Sequence, residues 1–140
     1  MRNLPQHLLV VILLLVITLT GCGGGSSFTA DNVVMAFQNA GLEAENARSL
    51  TKDDYGLAPY IGSGVRFFIP ALCDDCGGRI FITDNQEDTD TLKTYYQTLG
   101  EQSALFFSWV FVRDNIVVQI NGDVPEEQAR EYEATLMAME

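Results

Sequence analysis

From Leu8 to Leu19 the chain is apolar at every position except Thr18. At about a dozen residues this run is shorter than the roughly 20 that a helix needs to cross the hydrocarbon core of a membrane. Arg2 and the free amine put positive charge in front of it, and Leu19-Thr20-Gly21-Cys22 closes it with a small residue before a cysteine. A charged start, a short apolar centre and a small residue at the end are the parts of an export signal. The stretch is therefore set apart from whatever core the rest of the chain builds. An ordinary secretory signal with an incidental cysteine, or an uncleaved helical anchor, would be the blander accounts.

Residues 1–22 resemble the signal peptide of a bacterial lipoprotein, with Leu19, Thr20, Gly21 and Cys22 in the four lipobox positions. The resemblance implies a diacylglyceryl thioether on Cys22, cleavage of the Gly21–Cys22 bond, and often acylation of the new amine. One acyl chain gives only marginal membrane binding, at about 0.8 kcal/mol per buried methylene, so two or three are needed for lasting attachment. The implied address is the extracytoplasmic side of a bacterial cell membrane. The resemblance transfers no activity to residues 28–140, which resemble small uncharacterised bacterial lipoproteins without a named family.

Cleavage there would leave 119 of the 140 residues, enough for one domain. All 19 acidic residues lie beyond Cys22 against seven basic ones, a net charge near −12. Such a chain is repelled by nucleic acid and by anionic lipid, so no nucleic-acid partner is expected. The only histidine, His7, lies in the removed segment. Its loss excludes Ser-His-Asp and Cys-His nucleophile arrangements and the common zinc sites that need imidazole. Residues 22–27 continue from the lipidated cysteine through Gly23-Gly24-Gly25-Ser26-Ser27, a tether with a mean reach of roughly 12 Å.

Residues 28–140 read as one α+β domain in the order α-β-β-α-β-β-α. Thr29 suits an N-cap for a helix carrying Val33, Val34 and Phe37, with Gly41 as its stop. Residues 43–63 lack clear periodicity, and Asp54-Tyr55-Gly56-Leu57-Ala58-Pro59 reads as a loop. Val65–Leu72 and Arg79–Thr83 are strand-like. Asp84 and Asn85 can cap a second helix with a Leu92, Tyr95, Tyr96 and Leu99 stripe, ending at Gly100. Leu105–Val112 and Ile116–Asn121 are joined by a two-residue turn at Asp114-Asn115, and Pro125 opens a last helix. Two hairpins separated by a helix predict a four-stranded antiparallel sheet with helices mainly on one face.

Assigning faces puts Phe111 opposite Val118 and Trp109 opposite Ile120 on a core face, with Phe67, Ile69, Ile80 and Ile82. A turn at Asp74-Asp75 would set Phe68 opposite Phe81, with Arg66 and Arg79 beside them. Ser108 and Gln119 fall on that same mixed face. It is either a half-solvated sheet surface, or one partly covered by the 43–63 loop, or a candidate binding surface formed by Arg66, Phe68, Arg79, Phe81, Ser108 and Gln119.

With Cys22 committed to lipid, Cys73-Asp74-Asp75-Cys76 holds an even pair in an exported chain. A structural disulfide, a thiol-redox site and a metal site are the three accounts of it. The two aspartates disfavour a thiolate and a strand follows instead of a helix, against redox use. No second ligand pair is available for a metal. Asp84, Glu87, Asp88 and Asp90 lack the glycine and distal glutamate of a calcium loop, and Glu126, Glu127, Glu131 and Glu133 suit a solvated helix face. The expectation is a lipid-anchored, non-enzymatic binding or scaffolding module with no cofactor and no metal. Its partner would be an envelope protein, peptide or glycan; the alternative is a thiol redox or sensing protein using Cys73 and Cys76.

Overall fold

The computed structural model of this protein describes residues 28–140. The apolar run, the Leu19–Cys22 motif, His7 and the 23–27 tether lie outside the described residues. The described chain is α+β, with one antiparallel sheet of five strands. In chain order the elements are α1 (Ala30–Asn39), β1 (Glu45–Ser49), α2 (Lys52–Tyr55), β2 (Ser63–Phe68), β3 (Gly77–Ile82), α3 (Gln86–Gln102), a 3-10 turn (Ala104–Phe106), β4 (Ser108–Arg113), β5 (Ile116–Asn121) and α4 (Glu126–Ala138). The strands lie side by side as β1-β2-β3-β5-β4.

Local chemistry sets the ends of the helices. Thr29 Oγ1 accepts from the Asn32 N–H at 3.2 Å while Asn32 Oδ1 accepts from the Thr29 N–H at 3.0 Å, a reciprocal cap for α1. Gly41, at φ 81°, then lets the chain turn off the helix. Asn85 caps α3 by accepting from the Asp88 N–H at 2.9 Å. The β4–β5 register from Arg113↔Ile116 leaves only Asp114 and Asn115 in the turn, with Asp114 at φ 51°.

Helices cover both faces of the sheet, correcting the one-sided arrangement expected from the sequence. On one face α1 and α4 pack against Phe67, Ile80, Phe111, Val118 and Ile120. Phe37 of α1 meets Tyr132 of α4 edge-on at 5.0 Å, and both rest on Phe67. Each such large apolar side chain contributes about 1.5–3 kcal/mol when fully buried. Gly78 makes room here, since a Cβ at that position would lie 2.6 Å from the Phe67 ring. On the other face Leu92 and Tyr96 of α3, with Tyr55 and Ala58 around α2, enclose Phe81 and Val117. β5 is buried along both faces, from Ile116 to Ile120.

The fifth strand and α2 both come from the segment read as irregular. β1 is exposed at all five positions and bulged between Glu45 and Arg48, so no alternation marks it. α2 is a single turn, too short for a helical period to show. The β2–β3 register also differs: Phe68 lies opposite Gly77, and Phe81 opposite Gly64. The connection occupies 69–76 rather than a two-residue turn at Asp74-Asp75. The slip is an even number of residues, so every side chain keeps its face. α3 runs two residues past Gly100, where a Cβ would meet the Phe107 ring at 3.3 Å.

Candidate functional site

The register places four polar residues in one row across the mixed face. Arg48 of β1 pairs with Arg66 of β2, Arg66 with Arg79 of β3, and Arg79 with Gln119 of β5. Like charges directly opposite one another destabilise a sheet, so a row of three guanidiniums requires compensation. Asp54, at the end of α2, supplies it. Its carboxylate accepts from Arg48 Nη1 at 2.7 Å and Nη2 at 2.8 Å, a two-pronged pair. It also accepts from Arg66 Nη1 at 3.4 Å and from the Thr51 N–H and hydroxyl at 2.7 and 2.8 Å.

Arg79 is held differently. Its Nε donates to the Asp54 main-chain carbonyl at 2.7 Å and its Nη1 to Gln119 Oε1 at 2.8 Å. Among the described residues no carboxylate lies within ion-pair distance of it. Arg48 and Arg66 therefore share one carboxylate, and Arg79 is held by neutral acceptors alone. Asp54 is only 5% exposed. The hydrogen bonds from Arg48, seconded by those from Thr51, outweigh its burial and hold its carboxyl well below the usual carboxylate range.

Beside this row is a polar pocket of about 180 Å³, lined by Arg66, Asp75, Gly77, Gly78, Arg79, Gln119 and Asn121. Arg66 Nη2 donates to the Asp75 carbonyl at 3.3 Å, tying the pocket rim to the loop between β2 and β3. Cys73 and Cys76 are joined in that loop, their Cα atoms 5.0 Å apart. Cys76 is buried and Cys73 exposed. Two further main-chain bonds, Ile69 N–H to Cys76 and Cys76 N–H to Cys73, close the same loop. The carbonyl that Arg66 reads thus sits between two bonded cysteines.

Of the six surface residues named from sequence, Arg66, Arg79 and Gln119 converge in the pocket. Phe68 lies beneath Arg66, the guanidinium 5.0 Å from its ring centre. Phe81 is fully buried against Tyr55 and Tyr96 and belongs to no surface. Ser108 lies on the edge strand, in a separate groove. The residues that sequence reasoning missed are Arg48, Thr51 and Asp54. A signal existed for two of them: Thr51-x-x-Asp54 has the reciprocal-cap pattern of a helix start, which the reading of 54–59 as a loop overlooked.

The arrangement can do one kind of chemistry. It presents donors from Arg66 and Arg79 at a small concave site, which suits a compact anion such as a carboxylate or phosphate group. Tyr96, which packs beside it on Phe81, has its hydroxyl pushed up to about 12 by burial, so it stays neutral at physiological pH. No protein family model, no curated protein and no solved structure matches the chain.

Proposed function

We propose that this protein is a non-catalytic binding module held by lipid on Cys22 at the extracytoplasmic side of a bacterial membrane. In this reading the Arg66–Arg79–Gln119 pocket receives a carboxylate or phosphate group of an envelope partner. The observation that carries it is the cross-strand arginine row with a single compensating carboxylate. A guanidinium without a carboxylate, Arg79, beside one that only shares a carboxylate, Arg66, at a concave site favours a ligand that completes the pairing.

The test has two arms. Cys22→Ser should abolish incorporation of labelled fatty acid and leave the apolar signal uncleaved, seen as a heavier chain. A photo-crosslinking residue at Asn121, on the pocket wall, should capture a discrete neighbour in cells, and Arg66→Gln should remove that capture. An unchanged crosslink pattern in Arg66→Gln would contradict the pocket's role. Undiminished fatty-acid incorporation or normal cleavage in Cys22→Ser would contradict the anchor.

A second reading, a thiol redox or sensing role for Cys73 and Cys76, draws on their bonded state at the pocket rim. Against it, β3 begins at Gly77 directly after Cys76, so no helix N-terminus stabilises a thiolate there.

A further inference from the structure

We infer that the outer edge of β4 is a docking site for an extended, apolar segment of a partner protein flanked by Lys or Arg, added as a sixth strand. The two edges of the sheet are unlike. β1 is bulged and carries Glu45 and Arg48, two of the devices that keep an edge from pairing. β4 pairs with β5 in unbroken register from Ser108↔Asn121 to Arg113↔Ile116, and its centre is Trp109-Val110-Phe111-Val112. No hydrogen bond from another described element reaches its outward main-chain groups. With the apolar side chains Trp109 to Val112 around them, these unpaired donors and acceptors form a regular template of the kind that captures a strand.

The surroundings are built as a slot. A groove of about 480 Å³ follows the β4 edge between α3 and α4, with Tyr96, Gly100, Phe107, Trp109 and Phe111 in its walls. Leu105 and Phe106, just before the strand, are 90% and 60% exposed. Ser108 Oγ, in the groove wall, is the one buried side-chain polar atom without a hydrogen-bond partner among the described residues. Such a group costs free energy until something satisfies it.

Charge selects the occupant. Glu101 on α3 and Glu133 on α4 flank the groove, and the one cation in its wall, Arg130, already bonds Glu133 at 2.8 Å and Glu126 at 3.3 Å. With Glu133 and Arg130 paired, Glu101 leaves the wall net negative, and the segment needs a cationic end against it. A second copy of this chain would bring its own net charge of −11 and is disfavoured.

Trp109, the chain's single tryptophan, lines the groove and serves as the reporter. The full chain, in nanodiscs of zwitterionic lipid, is titrated with three synthetic peptides of about seven residues. One alternates Val and Thr between Lys ends, one has Glu ends, and one keeps the Lys ends but is N-methylated at alternate residues. The expected result is a saturable Trp109 emission shift with the first, at least about tenfold tighter than with either control. Glu101→Lys, a substitution at an exposed position, should narrow or invert the preference between Lys and Glu ends. Equal binding of the N-methylated peptide would reduce the effect to charge adhesion and overturn the proposal. So would no shift with the first peptide, or a dimer in sedimentation that Phe106→Lys dissolves, which would make the occupant a second copy.

Discussion

Arg66 on β2 and Arg79 on β3 face each other directly across the sheet, and different atoms of one residue hold them. The Asp54 carboxylate takes Arg66 at 3.4 Å, while the Asp54 main-chain carbonyl takes Arg79 Nε at 2.7 Å. A single turn of helix, capped by Thr51, thereby fixes three cations from three strands. The position of the candidate pocket depends on that turn staying in place.

Asp54→Asn should lower the unfolding free energy by about 2–3 kcal/mol. That is below the 3–5 of a fully buried pair because Arg48 is 44% exposed and screened by solvent. Urea denaturation of wild type and variant checks it, with the loss appearing as a lower midpoint at unchanged slope.

The same carboxyl gives a pH dependence of defined sign. Its folded pKa is depressed, chiefly by the Arg48 hydrogen bonds. The stability it contributes is therefore present above the unfolded value of about 3.9 and is lost as pH falls below it. Denaturation midpoints measured from about pH 6 to pH 3 should fall more steeply in wild type than in Asp54→Asn.

Phe68→Ala and Phe81→Ala should separate cleanly although both residues lie on the mixed face. Phe81 is fully buried between Tyr55 and Tyr96, so its truncation should cost about 3–5 kcal/mol. Phe68 is half-exposed beneath Arg66 and should cost about 1 kcal/mol. Equal losses would mean that α3 does not cover this face as described.

Replacing Cys73 and Cys76 together by Ser should cost about 2 kcal/mol for the four-residue loop. It should also weaken anion binding, because the Asp75 carbonyl that steadies Arg66 lies between the two positions. Thermal unfolding and a phosphate titration of the double variant check both effects.

Much of this was legible from residue patterns. Thr29, Asn85 and Asp114-Asn115 act locally, through hydrogen bonds and turn geometry within a few residues, and each lies where its chemistry pointed. The pairing of Phe111 with Val118 and Trp109 with Ile120 followed from that short turn. The β2–β3 register did not, because an eight-residue connection leaves no local rule for where pairing begins. β1 and α2 were illegible by periodicity: one is exposed throughout, the other one turn long. Arg66, Arg79 and Gln119 were found because face assignment survives an even slip. Asp54 carried a local signal in the Thr51-x-x-Asp54 cap, but its contacts with Arg66 and Arg79, 12 and 25 residues distant, had none.

The central claim is that Arg79, without a carboxylate partner, and Arg66, which only shares one, receive an anion. The most direct measurement follows the arginine side-chain NH resonances of the full chain during titration with inorganic phosphate and, separately, acetate. The account predicts saturable shifts at Arg66 and Arg79, smaller ones at Arg48, and their loss in Arg66→Gln. Flat titrations at Arg66 and Arg79, or equal shifts at the exposed Arg130, would contradict it.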